Sequence, residues 1–153
     1  MKRVKDGIKV MMGQIESGTY NGNENKIELF DGKFTTGYRV VDLKIAPEFP
    51  TNTGELVFKI STKPKSAISE WNWQDVEEIA WACWNVPTDS RFGYYANIRD
   101  DNMAVENLYI SAYTTAGSTV NVNYEIILEK YEFSAWDGAA TMVRNQSQAG
   151  PSA

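Results

Sequence analysis

Hydrophobic and polar residues alternate along much of this chain. Val41, Leu43 and Ile45 interleave with Val40, Asp42 and Lys44, which gives an extended stretch one apolar face and one mixed face. Leu56, Phe58 and Ile60 repeat the pattern against Val57, Lys59 and Ser61. Leu108, Ile110 and Ala112 repeat it against Tyr109, Ser111 and Tyr113. The longest run sets Val120, Val122, Tyr124, Ile126 and Leu128 against Asn121, Asn123, Glu125, Ile127 and Glu129. A period of two is the side-chain period of a strand, and one apolar face per strand suits a sheet resting on a core. A shorter strand is predicted from Lys26 to Phe30.

Turn chemistry separates these runs. Asn21-Gly22 and Asp31-Gly32 supply the positive φ angles of tight turns. Pro47 and Pro50 bracket a loop, Pro64 and Pro87 close two others, and Ala116-Gly117-Ser118 makes a hairpin turn between the last two strands. Seven or eight strands so punctuated predict an all-β chain: a single β-sandwich, jelly-roll-like, over residues 14–134.

Three segments depart from the pattern. Between Asp75 and Asn85, Val76, Ile79, Ala80 and Cys83 have helical spacing, yet Ile79, Trp81 and Cys83 also alternate. Aromatic enrichment and Pro87 favour a strand from Glu78 to Asn85, after a turn at Trp73 to Glu77. Residues 135–153 are expected as a short helix or tail, with Ala139, Ala140, Met142 and Val143 as the helical signal. Residues 1–13 are expected as an N-terminal arm, basic at Lys2, Arg3, Lys5 and Lys9 and apolar at Ile8, Val10, Met11 and Met12. Such an arm suits contact with an acidic neighbour, including another copy of the chain.

Composition then removes function classes. With 153 residues the chain fits one domain, and a net charge of -5 disfavours nucleic acid as a main partner. There is no histidine, so Ser-His-Asp triads, Cys-His pairs and histidine metal sites are excluded. Cys83 has no second thiol to pair with, and is expected as a buried core thiol in a chain folded under reducing conditions. Neither a cofactor nor a metal is expected. The start of the chain lacks the apolar stretch of a cleavable leader, and Ile79 to Trp84, the longest apolar run, is far too short to span a bilayer. A soluble product made without export is the expectation.

Four of the five tryptophans fall between Trp71 and Trp84. Trp71 and Trp73, flanked by Glu70, Asn72 and Gln74, fit contact with a protein neighbour first and stacking on sugar rings second. Trp81 and Trp84 sit among Ala80, Ala82 and Cys83 and are expected to be structural. Glu70, Asp75, Glu77 and Glu78 form the densest carboxylate cluster. Glycoside hydrolysis needs two carboxylates roughly 5–9 Å apart across one bond. Adjacent Glu77 and Glu78 would point to opposite faces of a strand, and Glu125 and Glu129 would lie roughly 13 Å apart on a solvated one. Asp100-Asp101-Asn102 lacks EF-hand spacing and fits a surface loop. No phosphate-binding glycine motif occurs, and Asn145-Gln146-Ser147 is expected to stay unmodified.

The segments Glu78–Asn85, Asn107–Thr115, Val122–Lys130 and Val143–Gln148 together resemble small virion-associated proteins of environmental phages and other marine viruses. The resemblance covers roughly Glu78 to Gln148 and implies a β-rich structural protein that is not an enzyme. It implies a capsid-coating (decoration) protein or a single-jelly-roll capsid subunit. Such a protein would be a homo-oligomer bound to other capsid proteins, without a membrane partner, assembled in the host cytoplasm and located in the virion. No site residue carries over from the resemblance; the arm and the tryptophan pair, Ile8, Val10, Met11, Met12, Trp71 and Trp73, are the expected interaction residues, and a carbohydrate-binding module using Trp71 and Trp73 is the alternative.

Overall fold

The computed structural model describes residues 2–17, 23–29, 32, 35–49, 54–64, 70–86, 93–114 and 120–133. These contain eight strands: β1 (Lys2–Glu16), β2 (Asn23–Glu28), β3 (Thr36–Pro47), β4 (Gly54–Ser61), β5 (Glu78–Val86), β6 (Gly93–Ile98), β7 (Asn107–Thr114) and β8 (Asn121–Glu132). All pairings are antiparallel, in a three-stranded sheet ordered β1-β8-β3 and a five-stranded sheet ordered β2-β7-β4-β5-β6.

That order is jelly-roll topology, in which the chain folds back on itself so that early strands pair with late ones. β1 lies on β8, β2 on β7 and β4 on β5. β6 bonds to β5, while its Tyr94 hydroxyl reaches across to the Leu43 carbonyl of β3 at 3.3 Å. The two sheets enclose one core. Ile15, Leu43, Ile45, Val122, Ile126 and Leu128 come from one sheet, and Leu56, Phe58, Ile60, Leu108, Ile110 and Ala112 from the other. The expected β-sandwich is therefore the fold, and the segment from Glu78 is a strand.

Three details differ from the sequence reading. Residues 2–16 are no free arm: Ile8 to Glu16 pair without a break along β8, and Ile15 is buried in the core. Alternation hides this strand because its exposed positions, Ile8, Val10 and Met12, are themselves apolar. Secondly, Val41 is not on the inner face with Leu43 and Ile45. A bulge between Val40 and Asp42 adds one residue, so Val40 is buried and Val41 is exposed. Buried Asn102 clasps that bulge, accepting from the Val40 N–H at 2.8 Å and donating to the Val40 carbonyl at 3.1 Å. Thus Asn102 is structural, whereas Asp100 and Asp101 lie exposed in a turn. Thirdly, β2 starts three residues before the expected Lys26. Gly32 has a φ of 88°, as a tight turn needs. The C-terminal helix or tail, the Ala116–Ser118 turn, Asn21-Gly22 and the Asn145 triplet lie outside the described residues.

Candidate functional site

The outer surfaces of the two sheets hold the expected interaction residues, and each breaks the rule of apolar inside and polar outside in its own way. On the three-stranded sheet, Ile8, Val10 and Met12 of β1 are 55%, 54% and 73% exposed. They stand opposite Glu129, Ile127 and Glu125 of β8, which in turn face Arg39, Asp42 and Lys44 of β3. The result is an apolar strip along one side of the face, continued by half-buried Ile127 and flanked by charge. Arg3 pairs with Glu129 at 3.6 Å, and Lys44 lies 3.6 Å from Asp42 and 3.8 Å from Glu125. Met11, grouped with its neighbours in the sequence reading, turns the other way and packs against the core.

The strip also lies at a sheet edge. β3, at the other edge, is bridged at one point by mutual backbone bonds between Tyr38 and Ala104 at 2.8 and 2.9 Å. Among the described residues β1 has a strand neighbour only in β8.

The outer face of the five-stranded sheet has charge at its centre. Lys59 of β4 and Glu78 of β5 are each 1% exposed and lie 3.6 Å apart. Both are buried because residues 70–77 are fastened over them. The Lys59 ammonium donates to the Glu70 carbonyl at 2.8 Å. One Glu78 oxygen accepts from the Asn72 backbone N–H at 2.9 Å and from the Trp81 indole N–H at 3.0 Å, and the other faces the Asn72 side-chain amide at 3.5 Å. Arg99, just past β6, completes the fastening with donations to the carbonyls of Trp73 at 2.6 Å, Asp75 at 3.1 Å and Glu78 at 3.1 Å. Its guanidinium also lies 5.6 Å from the Trp81 ring centre. With both oxygens engaged and the side chain sealed from water, Glu78 is a structural anchor for the covering segment.

The fastened segment carries Trp71 and Trp73 to the surface. Tyr95 of β6 stacks against both, at 6.0 Å and 29° to Trp71 and at 6.4 Å and 11° to Trp73. Trp81 is buried beneath, 5.7 Å from Trp73. Trp73 is 52% exposed, whereas Trp71 is half-buried and its indole nitrogen has no hydrogen-bond partner among the described residues. Trp71 also borders a cleft of about 400 Å³ with Val57, Cys83 and Trp84. Cys83 is therefore not a core residue: it points to the outer side of the sheet and is only partly buried. Burial pushes its thiol above the usual cysteine range, Glu55 adds to the effect, and a backbone hydrogen bond from Tyr95 opposes it.

The sequence reading named Trp71 and Trp73 but missed Lys59, Tyr95 and Arg99, which hold them. Lys59 in the middle of an otherwise apolar strand was the available signal. Among the described residues no group of three or more acidic or cysteine side chains could hold a metal ion, and no helix is long and apolar enough to cross a membrane. No protein-family model matches the chain, and no curated protein matches it.

Proposed function

We propose that this protein is a self-associating structural subunit of a virion, either a capsid-coating (decoration) protein or a single-jelly-roll capsid subunit assembled in the host cytoplasm. The observation that carries this reading is the strip of Ile8, Val10 and Met12 on an edge strand. An exposed apolar edge is a liability for a solitary molecule, because it templates uncontrolled pairing. In a repeating assembly the same edge is a joint that a neighbouring copy or another capsid protein covers on every subunit. The flanking ion pairs would set the orientation of that contact more than its strength. Jelly rolls serve viral capsids and lectins alike, so the fold supports this reading only by analogy. The resemblance in the C-terminal half points the same way.

Electron microscopy of the purified protein, together with light scattering across a concentration series, tests it. Symmetric oligomers or a regular lattice are expected. A monomer at every concentration, with no binding to a capsid surface, would contradict it.

A further inference from the structure

We propose that Trp73, backed by Tyr95, forms a binding shelf for a neutral saccharide chain, on the face of the molecule opposite the apolar strip. This inference is independent of the assembly reading.

Trp73 keeps half of its surface exposed although its backbone is tightly fixed, with its carbonyl bonded to Arg99 and its neighbour Asn72 bonded to buried Glu78. Exposure here is not looseness. The ring is presented by a rigid support, so little ordering would be lost when a ligand stacks on it. Tyr95 is stacked on Trp73, with centroids 6.4 Å apart and planes 11° apart, so it backs that ring, and the exposed half of Trp73 is the flat apolar surface left for a ligand. Pyranose rings present C–H groups on such faces and hydroxyls around their rim, so a fitting site needs aromatic planes edged by groups that both donate and accept.

Trp73 is the common wall of two hollows with that lining. One, of about 530 Å³, is edged by Trp71, Asn72 and Gln74; the other, of about 160 Å³, by Trp81, Asn97 and Arg99. The primary amides of Asn72, Gln74 and Asn97 each offer a carbonyl and an NH₂, the pair that adjacent sugar hydroxyls match. Aliphatic side chains are missing from both linings, which separates this surface from the Ile8–Met12 strip and disfavours a second copy as its occupant. The donors point to a neutral ligand. The Arg99 guanidinium is committed to three backbone carbonyls, which leaves the amides of Asn72, Gln74 and Asn97 as the polar groups that can meet a ligand.

The test is titration of the full-length protein with cellohexaose, xylohexaose, mannohexaose and chitohexaose, followed by calorimetry and by the indole N–H signals in NMR spectra. At least one oligosaccharide should bind and shift the Trp73 indole signal. Trp73→Ala should weaken that binding by about tenfold or more, in a protein that still unfolds cooperatively, at a somewhat lower temperature, and keeps its assembled mass. Asn97→Ala should weaken it less. Absence of binding by all four sugars to the wild-type protein would overturn the proposal, whatever the variants do. So would a Trp73→Ala protein that still binds, or one that loses assembled mass, which would assign the shelf to a contact between copies.

Discussion

Val10 and Lys59 occupy equivalent places, each near the middle of a strand and directed away from the core, yet the apolar residue is 54% exposed and the lysine is sealed from water. The three-stranded sheet leaves its apolar outer strip open. Its five-stranded partner buries a charge on its outer side, and uses that charge to tie down a covering segment. Burying an ion pair is expensive, and little net stability follows unless further hydrogen bonds satisfy it. Here they do, so the Lys59–Glu78 pair belongs to the architecture. An open apolar strip receives no such internal satisfaction, and the proposed subunit contact is built on that difference.

The largest expected effect comes from removing the anchor. Glu78→Ala leaves a buried ammonium uncompensated and orphans the Asn72 N–H and the Trp81 indole N–H, and should cost about 3–5 kcal/mol in urea unfolding. Combining Glu78→Gln with Lys59→Met should lose less than the two single changes added together, because the amide still accepts hydrogen bonds and no buried charge remains. Additive losses would show that the two side chains act separately, and the contrast between the sheets would fail at its centre.

Next in size is Asn102→Ala. It strands both backbone groups of Val40 at the bulge that turns Val41 outward, and should cost about 2–3 kcal/mol. A loss below about 0.5 kcal/mol would mean that the bulge holds without its clasp.

Cys83 gives a gentler probe of the covered sheet. Because its thiol is pushed upward, less thiolate exists at a given pH, so alkylation at pH 8 should be slower than for free cysteine. The rate should keep rising at pH values where that of free cysteine has already levelled off. The same shift means that the folded form holds its proton longer than the unfolded one, so this group's stabilising contribution declines as pH rises past the ordinary thiol range. Alkylation of the native protein as fast as that of a free thiol would show that the cover does not shield this face.

Most of the architecture was legible because alternation and burial coincide in it. β4, β7 and β8 place apolar residues inward at every second position, whereas β5 was legible as a strand with its faces exchanged: Ala80 and Ala82 enter the core, and Trp81 and Cys83 face outward. β1 was not legible as a strand, since Ile8, Val10 and Met12 put hydrophobic residues on the solvent side while Lys9 and Gly13 interrupt the inner one. β6 is six residues long, and the alternation of Tyr94, Ala96 and Ile98 with Tyr95 and Asn97 is too short to stand out. Of the candidate site, the tryptophans were visible as composition, but their support was not. Arg99 is 26 residues from Trp73, and only the jelly-roll path, with β6 returning beside β5, brings it under that carbonyl. Pairing of that range is set by tertiary register, which local pattern does not encode.

The most direct measurement is the sedimentation behaviour of a Val10→Glu variant beside the wild-type protein. Val10 is exposed and makes no core contact, so its replacement should change unfolding free energy by no more than about 0.5 kcal/mol. If the strip joins subunits, the variant should sediment as a folded monomer at concentrations where the wild-type protein is assembled. A variant that keeps the wild-type mass distribution, with its melting unchanged, would contradict the assignment of this edge as the joint.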